Sequence, residues 1–411
     1  MKTYDVLIVG GGAAGFFTAI NTAQRNPKLR IGILERSKEF LAKVRVSGGG
    51  RCNVTHHQFD ADLLSKNYPR GAKELRGPFT QFGPEQTIEW FKKRGVTLKT
   101  EADGRMFPVS DSSYTIIECF LTQAQKYNVD LLASHSVQSI ESSEQGWYIK
   151  TNQGDFTSTD LVVATGSNPK IWELLSHLGH EIIAPVPSLF TCNVKDERIA
   201  DLMGVAHSVK VRVPGTKLVN EGPLLITHWG FSGPAILRLS AWGARDLAQL
   251  NYQFPLEIAW VGHFQVEEVV ETLRHYKSDW AKKQVGSQTV FGLTRRLCER
   301  IITASGIDLT TKWADLSKKQ VQTWAQNLCQ MRFEVNGKST FKEEFVTAGG
   351  VHLREVHFKT MESKKIPHLY LTGEVLNIDA ITGGFNFQNA WTTAHLAAQA
   401  IATSSSTKAS H

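Results

Sequence analysis

The feature that most constrains this chain is a glycine-rich turn near its beginning, set between a short apolar run and a segment of helical periodicity. Residues 4–9 form the apolar run, residues 10–15 follow the pattern GxGxxG, and apolar side chains then recur at helical spacing. A second apolar run at 31–34 ends at Glu35. This order predicts strand, turn, helix and strand, the βαβ unit with which a doubly wound parallel sheet begins.

The same turn has the chemistry of a dinucleotide site. Gly10 permits a tight turn, Gly12 leaves room for a pyrophosphate beside the backbone, and Gly15 lets the helix pack closely. The N-terminus of the helix then faces the phosphate charge. Glu35 is expected to accept hydrogen bonds from ribose hydroxyls, and its charge disfavours a 2′-phosphate, so the pattern favours FAD or NAD over NADP.

Later glycine-containing segments favour FAD. Residues 47–53 read SGGGRCN, where backbone amides can approach a polar ring system. Apolar runs within 161–166 and 369–374 each end at a glycine, at the strand ends where doubly wound sheets bind ligands. Residues 383–388 are predicted to open a helix whose N-terminal dipole can face a flavin edge that becomes negative on reduction.

Five strings of this sequence resemble the bacterial BaiN-like NAD(P)/FAD-dependent oxidoreductases, a group that includes aminoacetone-oxidase-like flavoproteins. They are SGGGRCN at 47–53, THWGFSGPA at 227–235, TAGGV at 347–351, MESKK at 361–365 and TGEVLNIDAITGGFNFQNAW at 372–391. The resemblance spans nearly the whole chain. It implies an α/β fold with a Rossmann-like, glutathione-reductase-like FAD-binding domain, into which a β-barrel-like domain and a helical domain are inserted.

The resemblance also implies which residues contact a non-covalent FAD. These are Gly10, Gly12, Ala14, Gly15, Glu35, Arg36, Lys43, Gly50, Asn53, Val137, Gly166, Gly373, Glu374, Phe385 and Asn386. Neighbouring positions of the same glycine-rich segments extend the set to Ala13, Gly49, Thr165 and Gly384.

The domain organisation follows from a change of pattern along the chain. Prolines separate short β-rich runs from about 185 to 262, and helical periodicity replaces them from 265 to 330. The expected domains are a discontinuous FAD-binding domain of residues 1–190 and 342–411, a β-rich insertion of 191–264 and 331–341, and a helical subdomain of 265–330.

The catalytic residues stay open at this stage. The candidates are Arg51, Cys52, His228, Trp229 and His352. Cys52 has no CxxC partner, so a packed or cofactor-lining thiol is favoured over a dithiol relay. Each histidine can transfer a proton, hydrogen-bond substrate or be structural. Arg51 can bind a carboxylate bidentately, contact a phosphate or lie at the surface. Trp229, within the glycine-rich stretch 227–233, can line a substrate site or pack domains together.

The predicted function is that of an FAD-dependent oxidoreductase that transfers hydride to or from a small organic substrate. Residues 167–342 contain no strand followed by GxGxxG, so a dedicated nicotinamide domain is not expected. Either NAD(P)H docks transiently as a co-substrate, or oxygen reoxidises the flavin. A tRNA-modifying flavoprotein and a non-catalytic redox sensor are the alternatives.

Charge and cysteine usage bear on partners and location. Lysine and arginine exceed aspartate and glutamate by 46 − 39 = 7, and residues 36–105 alone contribute 14 − 8 = 6. Because no interleaved aromatics accompany these charges, a solvated face is favoured over nucleic acid binding. Five scattered cysteines without CxxC predict neither disulfides nor a metal site. A cytoplasmic protein without membrane segments is expected, and its oligomeric state stays open.

Overall fold

The computed structural model describes residues 1–144, 146–339 and 346–408. The chain divides into two compact units, one of Met1–Val186 with Lys342–His411 and the other of Pro187–Phe341. The domain limit predicted at 341–342 falls in the segment 340–345, outside the described residues. The finer division into β-rich and helical insertions stays a prediction.

The elements of the N-terminal part alternate between strands and helices. Its strands are β1 (Lys2–Val9), β2 (Ile31–Leu34), β3 (Thr55–His56), β4 (Leu98–Thr100), β5 (Arg105–Pro108), β6 (Asp130–Leu132), β7 (Val137–Ser143), β8 (Gly146–Thr151), β9 (Gly154–Val163) and β10 (Ile182–Ser188). Its helices are α1 (Ala13–Arg25), α2 (Ala42–Gly50), α3 (Ala61–Ser65), α4 (Ala72–Gln81), α5 (Pro84–Lys92), α6 (Ser113–Lys126) and α7 (Pro169–His177).

The middle of the chain is β-rich at first and helical later. Its strands are β11 (Thr191–Asn193), β12 (Ala206–Arg212), β13 (Val219–Ile226), β14 (Gly230–Ser232), β15 (Gln253–Ala259), β16 (Met331–Asn336) and β17 (Lys338–Ser339). Its helices are α8 (Pro234–Trp242), α9 (Ala244–Gln249), α10 (Val266–Asp279), α11 (Arg295–Ala304) and α12 (Lys318–Gln330). The C-terminal part contains β18 (Val346–Val351), β19 (Val356–His357), β20 (Glu362–Ser363), β21 (Leu369–Leu371) and α13 (Phe385–Lys408).

Buried parallel strands form the centre of the first unit. Strand β1 pairs in parallel with β2 and β9, while β2 pairs with β6 and β9 with β21. The strand order is β19-β20-β21-β9-β1-β2-β6, and β8 joins β7 to β9. Parallel strands end at one edge of a sheet, so the segments after Val9, Leu34, Val163 and Leu371 meet there. The βαβ unit predicted for the first 35 residues is confirmed.

An aromatic core holds α1 and α13 together in the first unit. The ring of Phe17 lies 4.6 Å from Trp90 and 5.3 Å from Trp391, measured between centroids. Trp391 and Phe120 are fully buried, 5.6 Å apart. Burial of each such ring contributes on the order of 2 kcal/mol. On α13, the buried face includes Ala390, Trp391, Ala394 and Ala397.

The second unit has one hydrophobic core shared by its sheet and its helices. The sheet has the strand order β16-β15-β12-β13-β14-β11-β17. Leu256 and Ile258 of the sheet belong to the same buried cluster as Trp324 and Leu328 of α12. A capping box opens α12, since the Gln320 backbone N–H donates to Ser317 Oγ at 3.2 Å. Within the described parts of both units, no helix is long and apolar enough to cross a bilayer.

Candidate cofactor site

At two positions of the glycine turn, a side chain would collide with backbone atoms. Gly10 has a φ of 112°, and a Cβ placed on it would stand 2.6 Å from the carbonyl oxygen of Ala164. A Cβ on Gly15 would stand 2.0 Å from the carbonyl oxygen of Gly10. The first turn of α1 therefore packs directly on the end of β1, as the sequence pattern predicts.

The second glycine of the GxGxxG motif has open space beside it instead. Gly12 is the N-cap of α1, and a Cβ on it would meet nothing within 4 Å among the described residues. Ala13 beside it is half-buried, and Ala14 is buried. The first N–H groups of a helix have no partner within the helix, and its dipole favours negative charge there. The space before α1 therefore fits a pyrophosphate.

Glu35 is fixed at the end of β2 by backbone donors. Its Oε2 accepts from the N–H of Gly11 and its Oε1 from the N–H of Ser37, both at 2.8 Å. A carboxylate oxygen has a second lone pair, so capacity for ribose hydroxyls remains. The N–H of His135 donates to the Glu35 carbonyl at 2.8 Å, which brings the start of β7 at Val137 close to Glu35. Arg36 follows and is exposed.

A second group of predicted residues lies beside the N-terminus of α1. Lys43 Nζ donates to Glu374 Oε2 at 2.8 Å. A Cβ on Gly166 would stand 3.4 Å from that carboxylate oxygen, and one on Gly373 would stand 3.2 Å from the Cβ of Ala14. Thr165 is half-buried next to Gly166. The structure thus brings together segments that are hundreds of residues apart in sequence.

The glycine cluster at 47–53 meets the start of α13. In the amide orientation that satisfies both of its ends, Asn53 accepts from the Gly384 N–H and donates to the Thr55 carbonyl, each at 3.0 Å. A Cβ on Gly384 would lie 2.5 Å from that carbonyl oxygen, so only glycine allows this approach. Gly49 and Gly50 are exposed, and side chains there would meet open space. This surface leaves room for a planar ring system.

The first turn of α13 is held by its own neighbours. Phe385 is buried, and its carbonyl accepts from the Tyr68 hydroxyl at 2.5 Å. Asn386 uses both ends of its amide on Ala380, accepting from the N–H at 3.0 Å and donating to the carbonyl at 3.2 Å. The Asn386 side chain therefore shapes the preceding loop.

The sequence patterns did not single out His56. Its ring stacks on Phe385 with centroids 4.5 Å apart, and its Nδ1 lies 3.0 Å from the Gly383 carbonyl oxygen. The sequence feature that could have identified His56 is its position three residues after Asn53, at the end of the glycine cluster. A titratable ring therefore stands where 47–53 meets α13.

Arg51 is engaged by acidic side chains. Its Nη1 donates to Glu101 at 2.6 Å and lies 3.5 Å from Asp111, and its guanidinium lies 3.9 Å from the centre of the Phe107 ring. Because these contacts already engage the Arg51 guanidinium, they disfavour its binding of a substrate carboxylate.

Cys52 is fully buried beside the glycine cluster. Burial raises the pKa of its thiol to about 12, so the thiol stays protonated at neutral pH. Because the thiolate is the nucleophilic form, this environment favours a packed thiol over a reactive one.

The remaining catalytic candidates have different surroundings. His352 Nδ1 accepts from the Arg354 N–H at 3.1 Å and so caps the short 3-10 helix Leu353–Glu355. His228 and Trp229 lie in the second unit, in the turn between β13 and β14. Both are exposed, Trp229 by 56%.

Sequence comparisons match this chain to one family profile and to individual relatives. The profile of the HI0933-like protein Rossmann domain matches residues 4–400. The 3-dehydro-bile acid delta(4,6)-reductase of Clostridium scindens is 27% identical over 408 residues, which cover 96% of this chain and 98% of the reductase. The ribosomal RNA dihydrouridine synthase of Escherichia coli is 27% identical over 411 residues, covering 97% of this chain and 98% of the synthase. The protein of that name from Haemophilus influenzae is 28% identical.

Solved structures share the fold along most of the chain. The 3-ketosteroid delta1-dehydrogenase of Sterolibacterium denitrificans has a TM-score of 0.53 and 13% identity, covering 98% of this chain and 100% of the dehydrogenase. The Escherichia coli quinol fumarate reductase FrdA has a TM-score of 0.51 and 12% identity, covering 99% of this chain and 72% of FrdA. The predicted α/β class with a Rossmann-type parallel sheet is confirmed. FAD is the cofactor of this chain, and the open space at Gly12 and the anchored Glu35 fit it.

Gly12→Glu is expected to abolish FAD binding and leave the fold intact, because the new side chain enters open space and brings negative charge to the pyrophosphate position. Flavin absorbance of the purified protein and its circular dichroism melting curve measure the two effects. Gly15→Ala is the matched control, since its Cβ would overlap the Gly10 carbonyl and should cost folded protein as well. Stoichiometric FAD in Gly12→Glu would contradict the placement.

Cys52 is expected to resist iodoacetamide in the folded protein at pH 8 and to react after unfolding, which mass spectrometry of tryptic peptides measures. Its folded pKa of about 12 lies above the ordinary 9.0. The stability that this difference provides is present below pH 9 and is lost as pH rises toward 12. Between about pH 8 and 10, the unfolding free energy of the wild type should therefore fall more steeply than that of Cys52→Ala. Equal slopes would show that Cys52 does not titrate differently on unfolding.

Proposed function

This chain belongs to the family of the HI0933-like protein Rossmann domain, and from that premise we propose that it is a flavin-dependent reductase of carbon–carbon double bonds conjugated with a carbonyl group. The resemblance carried by the five sequence strings is confirmed, and the chain is an FAD-binding oxidoreductase of this family. When bound, FAD supplies hydride transfer. The substrate, the reductant and the site residues below are part of the proposal.

The observation that carries the proposal is the meeting of the 47–53 cluster with the N-terminus of α13. The N–H groups at the start of α13 favour negative charge, which develops at the flavin end of the site on reduction. Gly49 and Gly50 leave that end open, so a planar substrate can approach without displacing side chains. The N-terminus of α1 and Glu35 hold the pyrophosphate and ribose at the other end.

The names of two relatives support the proposal that the reduced bond is a conjugated carbon–carbon double bond. A bile acid delta(4,6)-reductase and a dihydrouridine synthase both have names that describe saturation of a ring carbon–carbon double bond. In a 3-dehydro steroid and in uracil, that double bond is conjugated with a ring carbonyl. Hydride addition to the distant carbon then produces an enolate, and a proton completes the reduction. In this proposal His56, whose ring stacks on Phe385 at the start of α13, supplies the proton.

The reductant is proposed to be NAD(P)H that docks transiently at the flavin. The sequence contains one GxGxxG fingerprint, and Glu35 occupies the ribose position of that site. A nicotinamide therefore needs the open face at Gly49 and Gly50, which the substrate uses in turn. Reoxidation by oxygen is the competing possibility, and it would make the protein an oxidase.

Uridine in ribosomal RNA is a second candidate substrate beside a small enone. Two relatives that match nearly the whole chain are named ribosomal RNA dihydrouridine synthases. The excess of seven positive charges, six of them within 36–105, suits a polyanion. The sequence disfavoured nucleic acid for lack of interleaved aromatics, but uridine reduction needs one ring at the flavin and phosphate contacts elsewhere.

The proposed location is the cytoplasm. All five cysteines are buried and unpaired. Free thiols are typical of proteins kept in a reducing compartment, where NAD(P)H is also available.

Anaerobic stopped-flow mixing is expected to show bleaching of the flavin by NADH or NADPH, followed by recovery of flavin absorbance when a cyclic enone is added. The saturated ketone of the same ring is the matched control and should give no recovery. A transcript of ribosomal RNA forms the second arm, in which mass spectrometry detects uridine gaining two hydrogens at low salt. Recovery with oxygen alone would indicate an oxidase, and absence of bleaching by either nucleotide would favour a redox sensor.

Trp229→Ala is expected to lower turnover of the substrate about tenfold, since an exposed indole can stack on a planar ring. Flavin content and melting temperature should stay as in the wild type. Trp242→Ala, which removes an indole exposed by 48%, is the control and should leave turnover unchanged. Loss of FAD from Trp229→Ala would assign the turn a structural role, and unchanged kinetics would place substrate entry elsewhere.

A further inference from the structure

A buried ion pair joins the loop between α3 and α4 to the segment that precedes α13. Asp379 is fully buried, and the side chain of Arg70 is 14% exposed. Arg70 Nε donates to Asp379 Oδ1 at 2.5 Å, and Nη2 donates to Oδ2. The contact is bidentate, which fixes orientation as well as distance.

Neighbouring residues reinforce this ion pair. The Ile381 N–H donates to the Asn67 carbonyl at 3.0 Å, and the backbones of Arg70 and Asp379 form an isolated β-bridge. A Cβ on Gly71 would stand 2.7 Å from Ile378, so the two segments are in close contact. Residues 67–71 thus hold residues 378–381 in place. The chain then continues through Gly383 and Gly384 into α13.

Stability alone does not account for such a contact. Replacing a buried ion pair with apolar residues is often neutral or stabilising, because two charges must leave water. What the pair does provide is one defined geometry for the segment that carries Gly384 to Asn53. A charge of either sign left alone here would also act on the same end of the site through an interior of low dielectric.

We propose that Arg70 and Asp379 are positioning residues for the flavin end of the site, fixing segment 378–384 and keeping its surroundings electrically neutral. This inference rests on the FAD placement given above. It assigns a task to the NIDA portion of the string at 372–391 and to residues 67–71, which the sequence patterns left without one.

The test compares the reduction potential of bound FAD in Asp379→Asn, Arg70→Gln and the double variant, by equilibration with reference dyes. Asp379→Asn leaves a cation and should raise the potential, because reduction adds negative charge nearby. Arg70→Gln leaves a carboxylate and should lower it. The double variant should return close to the wild-type potential but bind FAD about tenfold more weakly, since the bidentate geometry is lost.

The matched control is the Arg198–Asp196 pair of the second unit, which is also bidentate at 2.9 and 2.7 Å. Asp196→Asn and Arg198→Gln should change neither potential nor FAD affinity. Shifts of the same sign in both single variants at 70 and 379, or wild-type FAD affinity in the double variant, would overturn the proposal. If a single variant does not fold, the neutral double variant still decides through its FAD affinity. Both readouts need no substrate, so an incorrect substrate assignment would leave them unaffected.

Discussion

The return of α13 to the N-terminal half of the chain is the contact on which the rest of the first unit depends. Gln388 is fully buried, and its Oε1 accepts from the hydroxyls of Thr55 at 2.6 Å and Thr87 at 3.0 Å. The Trp391 indole donates to the Val54 carbonyl at 2.9 Å. Contacts between partners so far apart in sequence slow folding, because closing a long loop costs entropy before the contact can offset it.

This arrangement makes the flavin end of the site a property of the whole chain. The N-terminal βαβ unit alone can present Gly12 and Glu35, but Asn53 needs Gly384, and the Lys43 ammonium needs Glu374. A fragment that ends before the second unit would keep the phosphate end and leave Thr55 and Thr87 without their buried partner. Unpaired buried polar groups are costly, so such a fragment is unfavourable even where its own strands are intact.

Local patterns predicted the α/β fold, its parallel sheet and the glycine turn at the end of β1. The GxGxxG turn, the apolar runs of β1, β2 and β9 and the helix start within 383–388 each reflect interactions over a few residues, and all are present as predicted. The sequence did not predict the position of His56 or the pairing of Arg70 with Asp379. Their environment is created by segments about 300 residues away, and no spacing rule relates such positions. The FAD contacts and catalytic candidates stay predictions.

Local sequence patterns also do not show how reactive a residue is, because reactivity depends on the folded environment. Cys52 and Arg51 are adjacent in sequence, yet the Cys52 thiol is fully buried, whereas the Arg51 guanidinium contacts the carboxylates of Glu101 and Asp111. A protein whose reduced flavin meets oxygen generates peroxide within its own structure. Here every one of the five thiols is buried and none is a free thiolate at the surface. Burial of all five thiols therefore limits sulfenic acid formation, which needs an accessible thiolate, in any turnover that produces peroxide.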